Sequence, residues 1–132
     1  MTMFKWFGSS KDSSEAKPTL NWQELTEIEQ LDQVETDSQE KPVVLFKHST
    51  RCGISRMALN QFERSFSPEK NYGLFYLNLI AHRDISNLVA SRFQVYHESP
   101  QVLVIHQGKT IYHASHGQIM GDHIAELVNQ LV

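Results

Sequence analysis

Hydrophobic residues along the chain follow two patterns, short continuous runs and positions spaced three or four residues apart. Continuous runs are typical of strands buried on both faces, and the wider spacing is typical of amphipathic helices. The runs predict strands at about 43–47, 73–79, 101–106 and 110–113. The wider spacing predicts helices at about 26–36, 52–65, 83–93 and 119–131.

Turn and capping residues support these boundaries. Thr26 and Glu29 fit a capping box at the first helix, and Pro42 stops that helix from continuing into the next strand. The tight turn at 107–109 predicts that the last two strands pair as an antiparallel hairpin. Residues 20–22 are consistent with a short edge strand or an entry turn.

The order of predicted elements, α, β, α, β, α, β, β, α, matches a thioredoxin-like fold. In that fold a strand–helix–strand unit with parallel strands precedes a helix, a hairpin and a final covering helix. We therefore predict one α/β domain over residues 20–132, with a central mixed β-sheet flanked by helices. Residues 1–19 are rich in Ser, Lys, Asp and Glu after a short apolar start, which predicts a flexible tail.

Composition and charge exclude several functional classes. A chain of 132 residues suits a single domain, and a formal net charge of −3 gives no support for nucleic-acid binding. One cysteine rules out an internal disulfide framework and fits a reducing compartment. No apolar run approaches the roughly 18 residues of a membrane span. No signal peptide is visible, so we expect a cytoplasmic protein.

The single cysteine, Cys52, lies where the strand at 43–47 turns into the helix at 52–65. The first N–H groups of a helix lack intrahelical partners and the helix dipole is positive there, which favours the nucleophilic thiolate. The alternative is a buried, inert cysteine. The polar neighbours Ser49 and Thr50 favour the reactive thiol.

Ser55 stands three residues after the cysteine, so the motif is Cys-Gly-Ile-Ser. Thioredoxins carry Cys-x-x-Cys at this strand-to-helix turn. A site with one thiol can attack a disulfide and form a mixed disulfide, but it cannot resolve that intermediate from the same chain. The second thiol must therefore come from elsewhere.

Ser99 and Pro100 precede the first hairpin strand, where thioredoxin-like proteins carry a cis-proline that faces the cysteine. X–Pro bonds adopt cis readily, and a cis bond would expose the Ser99 backbone for pairing with a substrate segment. We predict a cis bond beside Cys52. The alternative is an ordinary trans proline that opens a strand.

Residues around the cysteine are predicted to bind substrate or stabilise the thiolate. Gly53 allows a thiol ligand to approach the backbone closely. The N–H groups of Ile54 and Ser55, the Ser55 hydroxyl and the polar Thr50 are candidates to stabilise the sulfur or bind substrate. For the Ser55 hydroxyl, the alternative is capping within its own helix.

Three basic residues are candidates to tune or extend the site. Arg51 and Lys47 are candidates to bind carboxylates of a small thiol or to favour the thiolate. For Lys47, the alternative is an exposed lysine at the end of a strand. His48 is a candidate to tune the thiol, with a structural hydrogen bond to the loop as the alternative.

The seven histidines suggest a metal site only weakly. His113 and His116 have zinc-like spacing, but no second cysteine or tight carboxylate cluster joins them. We expect solvated histidines and no metal.

The run from Phe46 to Ser55, Phe-Lys-His-Ser-Thr-Arg-Cys-Gly-Ile-Ser, resembles the signature of the YtxJ-like monothiol bacilliredoxins. Members of that family typically carry Phe-Lys-His-Ser-Thr-x-Cys-x-Ile-Ser. Their early Trp-x-x-Leu is matched by Trp22 and Leu25, and their Ser-Pro before the hairpin by Ser99 and Pro100. The resemblance extends from about residue 20 to the C-terminus.

This resemblance implies that the protein removes bacillithiol, a low-molecular-weight thiol, from mixed disulfides on oxidised proteins. Cys52 would attack the disulfide and become bacillithiolated itself. A second bacilliredoxin, or bacillithiol with a reductase, would regenerate it. The implied partners are S-bacillithiolated proteins, with bacillithiol as thiol co-substrate and no bound cofactor.

Other functions fit parts of the pattern. A glutathione-dependent monothiol glutaredoxin, or a glutaredoxin-like carrier that shares a [2Fe–2S] cluster between two chains, is the first alternative, because Cys-Gly-Ile-Ser differs by one residue from their Cys-Gly-Phe-Ser. An arsenate-reductase-like thiol enzyme is the second alternative. The Lys-His-Ser-Thr prefix and the early Trp-x-x-Leu argue against both. A redox-inert thioredoxin-like adaptor is the third alternative.

Overall fold

The computed structural model describes residues 20–131. The predicted tail at 1–19 and Val132 lie outside the described residues. The strands are β1 (Gln23–Glu24), β2 (Val43–His48), β3 (Gly73–Asn78), β4 (Gln101–His106) and β5 (Lys109–Ser115). The helices are α1 (Gln30–Asp37), α2 (Gly53–Ser65), α3 (Arg83–Arg92) and α4 (Gly121–Gln130), with a 3₁₀ turn at His116–Gln118.

The five strands form one mixed sheet in the order β1-β3-β2-β4-β5. β1, β2 and β3 run parallel, and β4 lies antiparallel to both β2 and β5. The predicted architecture of a mixed sheet flanked by helices is confirmed.

The register brings one end of four strands to a common edge of the sheet. At the end of β2, His48 pairs with Asn78 and Lys47 pairs with Gln101, the first residue of β4. Gln101 in turn pairs with Ser115, the last residue of β5. We call this edge, with the loops at 49–52, 79–82 and 95–100, the cysteine edge.

Strand β5 extends one or two residues beyond its predicted ends, and α4 begins at Gly121 instead of 119. Two boundaries before β2 differ further from the sequence prediction. The edge strand lies at Gln23–Glu24 instead of 20–22, and α1 begins at Gln30 instead of 26. The Thr26–Glu29 capping box does not form, because the side chain of Gln30 takes its place. Gln30 Oε1 accepts the N–H groups of Thr26 and Glu27 at 2.7 and 2.9 Å.

Side chains from the two faces of the sheet form two hydrophobic cores. The first core packs β2 residues such as Leu45 against α1 and α3. The second packs Phe46 against α2 and α4 and is rich in aromatic rings, with Phe62 stacked on Phe66 at 4.7 Å between ring centroids. Successive residues of β2 therefore point alternately into the two cores.

Helices α2 and α4 meet at close range at Gly121. A Cβ atom at Gly121 would contact Ser65 Oγ and would lie only 2.7 Å from the Phe62 carbonyl oxygen. The first residue of α4 is therefore packed directly against the backbone of the last turn of α2. Within residues 20–131, no helix is both long and apolar enough to cross a membrane.

Candidate functional site

Cys52 occupies the N-cap position of α2, four residues after His48, the last residue of β2. Its backbone is extended, with φ −112° and ψ 121°, and its N–H donates to the Ser49 carbonyl at 3.2 Å. Its own carbonyl accepts the N–H of Arg56 at 3.1 Å, which closes the first turn of the helix. The residue is half-buried. The thiol therefore lies at the positive end of a 13-residue helix with one side accessible.

Ser55 is fully buried, and its hydroxyl is occupied by other groups. Ser55 Oγ accepts the N–H of Ser49 at 3.0 Å and lies 2.8 Å from His48 Nδ1. Among residues 20–131, it makes no hydrogen bond with Cys52 and does not cap α2. Neither of the two alternatives from the sequence, a bond to the thiolate or a cap on α2, is present among these residues; the hydroxyl instead links the end of β2 to the cysteine loop.

His48 is buried in the same place and packs on Tyr76, with ring centroids 5.8 Å apart. Burial lowers the pKa of His48, and the nearby Arg56 charge lowers it further, so the neutral imidazole is favoured. Since Ser55 Oγ already accepts one N–H, its proton is free to be donated to Nδ1 of the neutral ring. The arrangement agrees with the structural alternative for His48, a hydrogen bond that organises the loop.

The position predicted for the Lys47 side chain from the sequence is wrong. Its side chain has no solvent exposure, so it is neither an exposed strand-end lysine nor able to reach the carboxylates of a ligand. β2 is flanked by strands on both sides, and Lys47 points into the face covered by α1 and α3, away from α2. Burial, with a smaller effect of the Arg83 charge, lowers the pKa of Lys47 to about 8.

The surface beside the sulfur is open and basic, with exposed side chains at Arg51 and Arg56. Thr50, Arg51 and Gly53 are exposed, and nothing lies within 4 Å of the position that a Cβ at Gly53 would take. Ile54 and Met57 extend this surface along the first turn of α2, with 64% and 71% of their surface exposed. A ligand thiol can therefore approach Cys52 over Gly53 with Arg51 nearby.

Pro100 lies at the cysteine edge, next to the Lys47–Gln101 pair. The Ser99–Pro100 bond is cis, and the Pro100 carbonyl accepts the N–H of His116 at 3.1 Å. Ser99 Oγ is buried and has no hydrogen-bond partner among the described residues. The direct apposition of Ser99 to the Cys52 sulfur stays a prediction.

Sequence reasoning missed His97, which lies two residues before Ser99. Its Nδ1 lies 3.4 Å from Lys47 Nζ and 3.2 Å from Ser86 Oγ. No local pattern indicates this contact, because Lys47 and His97 are 50 residues apart in the chain. In residues 20–131, no three His, Cys, Asp or Glu side chains are grouped to hold a metal.

Comparison with solved structures agrees with this architecture. A candidate oxidoreductase with a thioredoxin fold superposes with a TM-score of 0.67 at 33% identity, covering 78% of this chain and 89% of that one. The thioredoxin of Malassezia sympodialis, Mala s 13, gives 0.64 at 18% identity, covering 86% and 92%. Schistosoma mansoni thioredoxin gives 0.62 at 15% identity, covering 84% and 95%.

The fold and the single thiol at the start of α2 define a thioredoxin-fold thiol oxidoreductase. The sequence profile of the family described as monothiol bacilliredoxin BrxC matches residues 23–124. The chain belongs to the monothiol bacilliredoxin family.

Proposed function

We propose that the protein removes bacillithiol from S-bacillithiolated proteins through a mixed disulfide on Cys52. The observation that carries the proposal is a half-exposed cysteine at the N-cap of α2 with no second cysteine in the chain. Membership of the bacilliredoxin family supports bacillithiol as the thiol. The reducing conditions of the cytoplasm would keep the resting Cys52 in its thiol form.

The reaction is a thiol–disulfide exchange. The Cys52 thiolate attacks the bacillithiol sulfur of the substrate, and a new S–S bond forms between them. The bond to the substrate protein breaks, and its electron pair leaves with the protein sulfur, which takes up a proton. No net oxidation occurs, because one disulfide replaces another.

Residues at the cysteine edge have defined parts in this proposal. The free N–H groups at the start of α2, from Gly53 to Ser55, stabilise the attacking thiolate. Arg51 pairs with a carboxylate of bacillithiol as the ligand approaches over Gly53. The Ser99 backbone pairs with an extended segment of the protein substrate.

Regeneration requires a partner, because the chain has no resolving thiol. An external thiol, either free bacillithiol or a cysteine of a second bacilliredoxin, attacks the bacillithiolated Cys52. The protein is then reduced, and the bacillithiol leaves in a disulfide with that external thiol, which a reductase can reduce.

The test is intact mass after separate incubation with oxidised bacillithiol and with oxidised glutathione. We expect the mass of one bacillithiol moiety added to the wild-type chain, faster than glutathionylation, and no adduct on Cys52→Ser. Release of bacillithiol from a modified protein, followed in the same way, should also be lost in Cys52→Ser. Preference for glutathione, or no adduct at all, would overturn the proposal.

A further inference from the structure

Lys47 and His97 join two parts of the cysteine edge from the sheet face opposite to α2. Lys47 Nζ lies 3.4 Å from His97 Nδ1, and Ser86 Oγ of α3 lies 3.2 Å from the same nitrogen. Lys47 and Ser86 are both fully buried. The imidazole is therefore fixed between the last part of β2 and the first turns of α3.

The loop that contains His97 is the one that leads to Pro100. Val95 anchors the start of the loop in the first hydrophobic core. The other polar attachments include Gln101 Nε2, which donates to the Tyr96 carbonyl at 3.0 Å, and the Pro100 carbonyl, which accepts the N–H of His116. Lys47 pairs directly with Gln101 in the β2–β4 ladder. Of these attachments, the contact with Lys47 Nζ is the one that ties the middle of the loop to the strand leading to Cys52.

A buried amine at this position is costly, because taking a charge out of water is unfavourable without a partner. A methionine would occupy a similar volume without that cost. The specific contribution of the Lys47 amine is therefore its hydrogen bond to the His97 ring.

We propose that Lys47 and His97 form a positioning pair that holds the 95–100 loop for docking of protein substrates beside Cys52. Neither residue touches the reacting sulfur atoms in this scheme. Small disulfides need only the open surface over Gly53. Loss of the pair should therefore slow the reaction with protein substrates and leave the reaction with small disulfides unchanged. The inference rests on the proposed function, since it concerns the substrates of that same site.

The charges around His97 come from three elements: Lys47 of β2, Arg83 of α3 and Glu98 of its own loop. Burial lowers the pKa of His97, the charges of Lys47 and Arg83 lower it further, and Glu98 opposes them. The neutral ring can accept one hydrogen bond at Nδ1, which the Lys47 amine donates. Protonation at acid pH would remove that acceptor and place a third cation beside Lys47 and Arg83.

The experiment compares two rates for each variant. The protein rate is the rate of bacillithiol removal from a modified protein, and the small-disulfide rate is the rate of reaction with oxidised bacillithiol. Lys47→Met and His97→Leu should lower the protein rate about tenfold or more, the effect of losing a buried hydrogen bond that positions substrate. Their small-disulfide rate should stay within about twofold of wild type. Equal losses in both rates, or no loss in either, would overturn the inference.

His97→Asn provides the matched control, because asparagine Oδ1 stands at the position of Nδ1 and accepts a hydrogen bond without titrating. It should recover most of the protein rate that His97→Leu loses. The ionisation of Cys52 affects both rates alike, so its effect drops out of the ratio of protein rate to small-disulfide rate. This ratio should fall at acid pH in the wild type and stay flat in His97→Asn; an unchanged wild-type ratio would contradict the role of His97.

Backbone hydrogen exchange separates failure of this inference from failure of the proposed function. Lys47→Met should speed exchange in the 95–100 loop and leave the 49–52 loop unchanged. If the wild type does not react with bacillithiol but this exchange pattern holds, the function is wrong and the positioning pair stands. If exchange in the 95–100 loop is unchanged, the positioning pair is wrong.

Discussion

Nδ1 of His48 lies 2.8 Å from the hydroxyl oxygen of Ser55, and this contact fixes the fourth position of the Cys-x-x-Ser motif. The same oxygen accepts the N–H of Ser49. The loop between β2 and α2 is thus fastened at its first residue and at the first turn of the helix. In this chain the serine organises the loop that carries the cysteine and makes no hydrogen bond to the sulfur within residues 20–131.

Ser55→Ala should therefore destabilise the protein. It leaves the buried His48 Nδ1 and the Ser49 N–H without a partner, which costs about 1–3 kcal/mol. Urea unfolding measures the free energy change. Ser91→Ala is the control, because Ser91 is exposed and donates only to the Leu88 carbonyl within its own helix, so it should change stability by less than about 0.5 kcal/mol. Equal effects of the two variants would contradict a fastening role for Ser55.

Stability should rise with pH above 8 because of Lys47. Its pKa is about 8 in the folded protein and 10.5 in the unfolded chain, so the unfolded chain binds more protons between these values. The free energy of unfolding should increase by about 1.5 kcal/mol between about pH 8 and pH 9.5 from this group alone.

Lys47→Met should lack this contribution, and the difference between the two proteins isolates it. The subtraction is needed because burial raises the pKa of Tyr76, so stability falls again as pH rises past 10. Urea unfolding at several pH values gives both curves. Parallel curves for wild type and Lys47→Met would show that the amine is not held at a lowered pKa.

Arg51→Gln tests the proposed contact with bacillithiol carboxylates. Removing an exposed charge beside the site should slow the reaction of Cys52 with oxidised bacillithiol by about fivefold, corresponding to about 1 kcal/mol. The effect should diminish at high salt. Arg64→Gln changes the net charge equally in the last turn of α2, and it should leave the rate unchanged. If both variants slow the reaction alike, the effect comes from overall charge.

Gly121→Ala should disturb the contact between α2 and α4. The added Cβ would lie 2.7 Å from the Phe62 carbonyl oxygen and 2.9 Å from the Phe66 nitrogen, and backbone atoms cannot move aside cheaply. We expect a loss of about 1–3 kcal/mol in urea unfolding. Gly117→Ala adds the same atom where nothing lies within 4 Å and should be nearly neutral. A neutral Gly121→Ala would mean that the helices have room to separate.

Elements with strong periodicity could be predicted from sequence. The run at 43–47 and the helix beginning after Cys52 are where the pattern placed them, because a buried strand and an amphipathic helix each impose their own spacing. The predicted start of α1 was wrong, because Thr26 and Glu29 match a capping pattern that the side chain of Gln30 displaces.

The site was predictable only in part, for a physical reason. Cys52 and its exposed neighbours follow from local sequence. Burial of Lys47 depends on β3, β4 and α3 closing around it, and its partner His97 lies 50 residues away. Such contacts leave no periodic signal, and a lysine at the end of an apolar run is ordinarily taken to reach solvent.

The chain's only cysteine lies at an accessible helix start, so the extent of its modification can be measured directly on the protein. A thiol-directed probe can attach at one atom only, so a labelled sample contains two species, free and occupied. The ratio of two mass peaks then gives the fraction of Cys52 in use at the moment a sample is quenched. The fraction of modified Cys52 can therefore be followed over time in the wild-type protein.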